Sequence, residues 1–478
     1  MSRNHVDPPP HHQHPPHGSM QQINEFGGDL RWRRRTVVIL IMMMMSVCMV
    51  LQSGAAASYN NDGFVKLKKV IEATDVTNTI DVTTSSSSGV VNKDTAATDL
   101  NSKLGLCASI IQGYGYPCQE ITVQTRDGFL LGLQHIPHGL NEMGLPSLPN
   151  KPPVFLQHGV LQGGDDWVLN NPQESLGFML ADHGYDVWIG NMRGTRWSHG
   201  HIYLTPSDDK FWDWSFDEQA AIDLPALLGY IYNSSHNKVY YVGHSQGSTI
   251  ALAAFTMPAT GVADIVKGAV LLAPIAYLNH VKSKLVRVAA DLMIDKVLIS
   301  NSCFSLILDV GKMLIDLACK HDGVICEDII SAVLGTDCCL NHTRFTYYLE
   351  WEPQPTSTKD MQHLAQMVRS GLFSFYDYGT EGNLKVYNQI KPPLYNLATI
   401  PKELPLFLIS GGNDRLADPE DVEKLQSDLL GDVTALQIAD YAHGDLLVST
   451  RANIDVNAPI LAYFKELETR SSAKTKDL

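Results

Sequence analysis

The pentapeptide Gly243-His244-Ser245-Gln246-Gly247 is the first candidate for chemistry in this sequence. It follows the run "KVYYV", which favours a strand, and precedes "STIALAAF", which favours a helix. A serine in such a strand-to-helix turn holds its hydroxyl clear of the sheet, because the flanking glycines let strand and helix approach closely. We therefore predict that Ser245 is a nucleophile and that Gly243, His244 and Gly247 form its turn.

A serine hydroxyl needs a base that removes its proton and a carboxylate that orients the base. "YAHGDLL" follows the last predicted strand and supplies His443 as the base, with an exposed loop histidine as the alternative. "LISGGNDRLADPEDV" supplies Asp414 directly after a strand. Asp418 and Asp421 fit better in the first turn of the next helix, where acidic side chains interact favourably with the helix dipole.

A serine that attacks a carbonyl group also requires two donors for the oxyanion that develops. The backbone N–H of Gln246, the residue after the serine, is one of them. "FLQHGVLQGG" places the Val160 N–H after a buried strand and predicts the second donor, with a plain loop glycine at Gly159 as the alternative. This set of groups predicts acyl transfer without a metal ion or an organic cofactor.

Alternating strands and helices are predicted to position these groups. We predict a hairpin at 120–137, strands at 152–159, 185–194, 238–243, 266–276, 405–410 and 434–439, and helices at 175–184, at 214–232 and directly after Ser245. Ser215 and Glu218 have the spacing of a capping box for the second helix. Continuous apolar strands that alternate with helices predict an α/β fold with a mainly parallel central sheet flanked by helices.

The chain is predicted to divide into a leader, a core in two parts and an inserted cap. Residues 1–57 combine a His- and Pro-rich segment, the basic run "RWRRR", 16 apolar residues and "SGAAAS", which predicts a signal peptide or, alternatively, an uncleaved signal anchor. A low-complexity segment follows at 58–103. The core is predicted in two parts, 104–277 and 386–466, with a helical cap at 278–385 between them and a flexible tail at 467–478.

Composition and cysteine usage indicate the compartment and exclude one class of partner. The 478 residues carry a formal net charge of −15, which disfavours nucleic acid. Asn233 and Asn341 begin glycosylation sequons, in agreement with a secretory route. Seven cysteines follow Cys48, so disulfides are expected, with at least one thiol left free or paired between chains. We expect the adjacent Cys338 and Cys339 to have different partners.

Several blocks together resemble the acid lipase family of α/β-hydrolases, which includes lysosomal acid, gastric and plant triacylglycerol lipases. They are "GYPCQEITVQTRDGFLLGLQHIP", "FLQHGVLQGGDDWVLN", "SLGFMLADHGYDVWIGNMRGTRWSHGH", "FWDWSFDEQAAIDLPALLGYI", "GGNDRLADPEDV" and "YAHGDLL", and the resemblance covers roughly 106–464. It implies the triad Ser245, Asp414 and His443, the oxyanion amides of Val160 and Gln246, and an apolar lid at 278–385 that opens at a lipid surface.

Two positions depart from the family pattern. Val160 stands where the family often has leucine, and Leu446 where an aromatic residue is common after the catalytic histidine. Both changes concern the shape of the pocket rather than the mechanism.

The expected activity is hydrolysis of lipid esters. The alternatives are a short-chain carboxylesterase or acyltransferase with the same triad, or a non-catalytic binding protein. The sequence leaves the acyl chain length, the alcohol and the oligomeric state open.

Overall fold

The computed structural model describes residues 104–144, 150–291, 312 and 330–476. Within these residues, nine strands form one sheet. The strands are β1 (Gln119–Gln124), β2 (Phe129–Ile136), β3 (Pro153–Gln157), β4 (Asp186–Gly190), β5 (Gly200–His201), β6 (Val239–His244), β7 (Val266–Leu272), β8 (Leu406–Gly411) and β9 (Val433–Ile438). The leader and the low-complexity segment predicted at 1–57 and 58–103 lie outside the described residues.

The longer helices alternate with these strands. They are α1 (Leu176–Asp182), α2 (the consecutive segments Phe216–Glu218, Gln219–Asp223 and Leu224–Ser235), α3 (Gln246–Phe255), α4 (Lys284–Asp291), α5 (Phe345–Trp351), α6 (Thr358–Ser370), α7 (Gly379–Tyr387), α8 (Pro419–Asp428) and α9 (Ala458–Lys476). The middle segment of α2 is a π-helical turn. Within the described ranges, no helix is long and apolar enough to cross a bilayer.

The sheet has the strand order β1-β2-β4-β3-β6-β7-β8-β9, with β5 beside β2. The hairpin β1–β2 and the pair β2–β4 are antiparallel, and every pair from β4 to β9 is parallel. The central strands β3, β6 and β8 are buried along their whole length, as their continuous apolar sequences require. The predicted α/β class with a mainly parallel sheet is therefore confirmed.

Parallel pairing explains how distant parts of the sequence meet. β3, β6, β7, β8 and β9 all run in one direction, so the loops after them leave the sheet at one edge. The candidate oxyanion loop follows β3, Ser245 follows β6, Asp414 follows β8 and His443 follows β9. One edge of the sheet thus gathers every residue that the sequence singles out for chemistry.

The start of α2 shows how the sequence determines a local structure. Ser215 accepts a hydrogen bond from the Asp217 N–H at 3.2 Å, and Glu218 accepts one from the Ser215 N–H at 2.7 Å. These reciprocal bonds satisfy amides that the first helical turn leaves without partners. The capping box predicted from the spacing of Ser215 and Glu218 is confirmed.

A buried arginine connects the hairpin to α2. Arg193, which is 1% exposed, pairs with Asp127 of the β1–β2 turn at 2.8 Å and with Asp223 of α2 at 2.5 Å. Its guanidinium also lies 4.0 Å from the centre of the Phe129 ring. Two carboxylates around one guanidinium compensate the cost of burying the charge, because each partner is hydrogen-bonded as well as oppositely charged.

Helices α4, α5, α6 and α7 all lie in the long connection between the neighbouring strands β7 and β8. The described parts of the predicted cap, residues 278–291, 312 and 330–385, belong to this connection.

Two disulfides occur among the described residues, Cys107–Cys118 and Cys338–Cys339. The expectation that Cys338 and Cys339 have different partners is therefore wrong. The bond closes a small ring around one peptide unit, with the two Cα atoms 3.7 Å apart.

The two sequons differ in their surroundings. Asn233 is exposed near the end of α2. The side-chain oxygen of Asn341 accepts hydrogen bonds from the N–H and the hydroxyl of Thr343, at 3.2 and 2.6 Å. Glycosylation of both residues stays a prediction.

Candidate active site

Ser245 stands in a strained turn between β6 and α3. Its backbone has φ 52° and ψ −118°, a combination that non-glycine residues rarely adopt. The Ser245 N–H donates to the Leu272 carbonyl at 2.9 Å, which fixes the turn against the end of β7. Strain of this kind persists only where the surroundings impose it, and it is the backbone geometry expected of a serine nucleophile on such a turn.

The two glycines of the turn are required by close approach. A Cβ atom added at Gly243 would lie 2.8 Å from the carbonyl oxygen of Gly247. One added at Gly247 would meet the backbone carbonyl of Gln157 and lie 2.9 Å from that of His158. Because both obstacles are backbone atoms, neither position has room for a side chain. The sequence-based interpretation of these glycines agrees with this packing.

His443 and Asp414 come together from the loops after β9 and β8. The distance from His443 Nδ1 to Asp414 Oδ2 is 2.8 Å, and both side chains are buried. Asp414 Oδ1 accepts hydrogen bonds from the N–H groups of Leu416 and Ala417, at 2.8 and 2.9 Å. A carboxylate held in this way places the imidazole proton on Nδ1 and leaves Nε2 as the basic nitrogen.

The neighbouring acids Asp418 and Asp421 bind other groups than His443. Asp418 caps α8 by accepting from the Glu420 N–H at 3.0 Å, and it also pairs with Lys282 at 2.8 Å. Asp421 accepts from the backbone N–H of His280 at 2.9 Å and lies 2.8 Å from its Nδ1. Asp414 is therefore the member of this acidic loop that contacts His443.

The loop after β3 presents the peptide between Gly159 and Val160 in a fixed orientation. The Met192 N–H donates to His158 Nε2 at 2.9 Å, so the ring proton lies on Nδ1, which donates to the Gly159 carbonyl at 2.8 Å. Burial lowers the pKa of His158 to about 4, which keeps the ring neutral. The Gln162 N–H also donates to this carbonyl, at 3.3 Å. Because a trans peptide is planar, the Val160 N–H points the opposite way.

The two predicted oxyanion donors are available for a ligand. Among the residues that the structure describes, neither the Val160 N–H nor the Gln246 N–H has an acceptor. Gln246 is the first residue of α3, where the amide has no partner within the helix. A Cβ atom added at Gly159 would lie 2.9 Å from the Ser245 Cβ, so the loop after β3 packs directly on the serine.

A partly buried glutamine and a buried histidine link the three loops, and sequence reasoning missed this role. Gln162 Oε1 accepts from the Gly159 N–H at 2.8 Å and lies 3.0 Å from His244 Nδ1. His244 Nε2 in turn lies 3.2 Å from the His443 carbonyl oxygen. Burial and the neighbouring His443 lower the pKa of His244 well below its usual value. The residue before the serine thus bridges the loop after β3 and the loop that carries His443.

The connection between β7 and β8 also contacts this site at two places that the sequence did not reveal. The Leu334 carbonyl accepts from the His443 N–H at 3.2 Å and from the Arg415 N–H at 3.3 Å. The Gln246 side chain donates to both carboxylate oxygens of Asp360 on α6, at 2.7 Å each. Burial raises the pKa of Asp360 to about 7. No local pattern around Leu334 or Asp360 signals these contacts, because both join residues far apart in sequence.

A mainly parallel sheet with a serine at the β6–α3 turn, an aspartate after β8 and a histidine after β9 defines an α/β-hydrolase fold. A sequence profile of the "alpha/beta hydrolase fold" matches residues 152–295, and a profile of the "partial alpha/beta-hydrolase lipase region" matches residues 107–171. The two profiles cover the hairpin, the oxyanion loop and the serine turn.

Characterised relatives define the family more closely. Triacylglycerol lipase 1 of Arabidopsis thaliana is 42% identical over 77% of this chain and 92% of its own length. Triacylglycerol lipase 2 of the same plant is 39% identical, over 76% and 88% respectively. Gastric triacylglycerol lipase of Rattus norvegicus is 36% identical, over 75% and 91%. The chain belongs to this lipase family of α/β-hydrolases.

Proposed function

We propose that the protein hydrolyses carboxylic ester bonds of lipids, triacylglycerols or related acyl esters, through an acyl-enzyme on Ser245. The observation that carries the proposal is the 2.8 Å contact between His443 Nδ1 and Asp414 Oδ2, at the sheet edge where Ser245 occupies its strained turn. The relatives named triacylglycerol lipases support the choice of substrate class.

In the proposed reaction His443 Nε2 takes the hydroxyl proton of Ser245 as the oxygen attacks the ester carbonyl carbon. The amides of Val160 and Gln246 hold the oxyanion, and His443 then protonates the departing alcohol. Water activated by His443 attacks the acyl-enzyme and releases the carboxylic acid. Asp414 stays ionised throughout, because it stabilises the imidazolium rather than taking its proton.

Exposed apolar side chains in the connection between β7 and β8, which includes the predicted cap, support contact with a lipid surface. They lie on or beside α4, α6 and α7, and they are Leu285, Val288, Leu372, Leu384, Val386, Ile390 and Leu394, each about half exposed. Exposed patches of large apolar side chains favour association with a lipid or another apolar surface. The lipid ester would reach Ser245 after such contact.

We place the protein in the secretory pathway. The disulfides Cys107–Cys118 and Cys338–Cys339 favour an oxidising compartment. The basic and apolar run in residues 1–57 has the composition of a secretory signal. If this signal is cleaved, the protein is secreted or delivered to a vacuole- or lysosome-like compartment. If it is retained, it anchors the protein in the membrane.

The decisive experiment measures fatty acid release from a panel of lipid classes and chain lengths. Ser245→Ala is expected to lower kcat by about 10⁶-fold, because the reaction loses its nucleophile. Ser427→Ala is the control, since this exposed serine on α8 donates only to the Lys424 carbonyl. Near-normal activity of Ser245→Ala would overturn the proposal.

Two further results separate the alternatives. Turnover restricted to water-soluble short-chain esters would indicate a carboxylesterase, and net transfer of the acyl group to an added alcohol would indicate an acyltransferase. A fluorophosphonate probe is expected to label the wild-type protein and Ser427→Ala but not Ser245→Ala. A wild-type protein that this probe does not label would be a non-catalytic binding protein.

A further inference from the structure

Three acidic side chains meet behind the oxyanion loop. Asp165 and Asp166 follow this loop directly, and Glu352 comes from the cap after α5. One carboxylate oxygen of each residue lies within 4.8 Å of one from each of the others. Asp165 is fully buried and Asp166 is 6% exposed. Glu352 is partly buried. This carboxylate cluster is separate from the proposed catalytic groups.

Only part of each carboxylate is occupied by hydrogen bonds. Asp165 Oδ1 accepts from Trp197 Nε1 at 2.7 Å and from Gln354 Nε2 at 2.6 Å. Glu352 Oε1 accepts from the Gly163 N–H at 2.8 Å. The second oxygens, Asp165 Oδ2, Asp166 Oδ2 and Glu352 Oε2, are buried and have no donor among the described residues. Each of the three carboxylates therefore has one buried oxygen without a donor among the described residues.

The basic side chain that neighbours Asp165 makes its hydrogen bonds elsewhere. Arg196 is the charged neighbour of Asp165, but its Nη2 donates to the carbonyls of Glu350 and Trp351, at 3.2 and 3.5 Å. Three carboxylates buried so close together require either added protons or a bound cation.

We propose that this cluster is a binding site for one divalent cation of the hard, oxygen-preferring class, namely Ca²⁺. All the available ligand atoms are carboxylate oxygens, which suit Ca²⁺ and do not suit the metals that select nitrogen or sulfur. Ca²⁺ binds its oxygens at about 2.4 Å, so the oxygens around one ion lie no more than about 4.8 Å apart. The carboxylate oxygens of the cluster lie within 4.8 Å of one another, which is close enough for all three side chains to contact one ion.

A cation here would join the oxyanion loop to the cap. The Gln354 N–H already donates to the Leu161 carbonyl at 2.8 Å, and the Gln354 side chain donates to Asp165. Metal coordination by Asp165, Asp166 and Glu352 adds a second link between the same two segments. The ion is thus a structural support for the peptide that carries the Val160 N–H, and it takes no part in bond cleavage.

The test uses the purified wild-type protein, stripped with a chelator and titrated with Ca²⁺ or Mg²⁺ at pH 7.5. Calorimetry is expected to show one Ca²⁺ per chain. At a Ca²⁺ concentration 100 times the Kd, the midpoint of thermal unfolding is expected to rise by roughly 3 °C for a chain of this size. Mg²⁺ is expected to have a smaller effect, because it gives up its water shell reluctantly.

Matched variants locate the ion. Asp166→Asn is expected to abolish the Ca²⁺-dependent rise, whereas Asp217→Asn is expected to keep it. Asp217 is the matched control, because it is a similarly buried acid whose oxygens accept from the Tyr395 hydroxyl and the Tyr376 N–H, at 2.5 and 2.9 Å. Glu352→Gln replaces Asp166→Asn if the latter does not fold.

Two outcomes would overturn the proposal. A wild-type protein that shows neither calorimetric binding nor a Ca²⁺-dependent rise would mean that the carboxylates share protons instead of a cation. An undiminished rise in Asp166→Asn and in Glu352→Gln would place the ion elsewhere on the molecule. Neither result depends on ester hydrolysis, so the proposed function is not at stake in this experiment.

Discussion

Replacing Asp414 with asparagine tests the pairing of acid and base more sharply than removal of the serine. Asp414 Oδ1 accepts two backbone N–H groups, those of Leu416 and Ala417, while Oδ2 faces His443 Nδ1 at 2.8 Å. In the variant the single amide oxygen stays with the two backbone donors, because turning it away would leave both unsatisfied in a buried loop. The new NH₂ group then faces His443.

The consequence for His443 follows from its ring protons. An amide nitrogen only donates, so Nδ1 must accept and the proton moves to Nε2. A histidine with the proton on Nε2 cannot remove the proton of the serine hydroxyl. We expect kcat to fall by about 10⁴-fold, which corresponds to about 5.5 kcal/mol of transition-state stabilisation, with little change in stability.

The assay is steady-state hydrolysis of a soluble ester, with thermal unfolding as the measure of folding. Asp421→Asn is the matched control, since it changes another buried acid of the same segment, whose hydrogen bonds within the described residues go to His280. A loss of less than tenfold in Asp414→Asn would refute the assignment. An equal loss in Asp421→Asn would show that the effect is structural rather than chemical.

Two more predictions concern packing and pH. Gly247→Ala is expected to cost more than about 3 kcal/mol of unfolding free energy or to prevent folding, because its Cβ would meet the backbone carbonyls of Gln157 and His158; a soluble, active variant would contradict this packing. Asp360 has its pKa raised from 3.8 to about 7 by burial, so the folded state prefers the protonated form. The contribution of Asp360 to the free energy of unfolding is complete below pH 3.8. It is lost between pH 3.8 and about 7, because the unfolded chain gives up this proton first, and the total loss is up to about 4 kcal/mol. Urea unfolding at pH 5 and pH 8 is expected to show the part of this loss that falls above pH 5, about 3 kcal/mol, in the wild type and a smaller loss in Asp360→Asn. Equal losses would assign the effect to other groups.

The parts of this protein that sequence alone predicts are those encoded by local patterns. Continuous apolar runs identify the central strands, and the order of strands brings Ser245, Asp414 and His443 to one edge because parallel strands end there. The Ser215–Glu218 cap is a matter of spacing within one helical turn. Each of these features depends on residues that are close in sequence or on a regular alternation of elements.

The parts that escaped prediction depend on contacts between distant segments. Gln162 is an ordinary loop glutamine, and Asp360 an ordinary acid in the first turn of α6; only the folded chain shows the first beside His244 and the second beside Gln246. Asp165, Asp166 and Glu352 likewise meet only in the fold. The bond between Cys338 and Cys339 is a different case, because adjacency in sequence disfavours such a pair and nothing local signals the exception.

The double contact of the Leu334 carbonyl limits how this scaffold can be re-engineered. This oxygen belongs to the connection between β7 and β8, yet it accepts from the backbone of both Arg415 and His443. A chimera that exchanges the whole insertion for one from another hydrolase would also discard the acceptor that keeps the acid and base loops together. Grafts intended to change chain-length preference should therefore begin and end upstream of Leu334 and retain the residues around it.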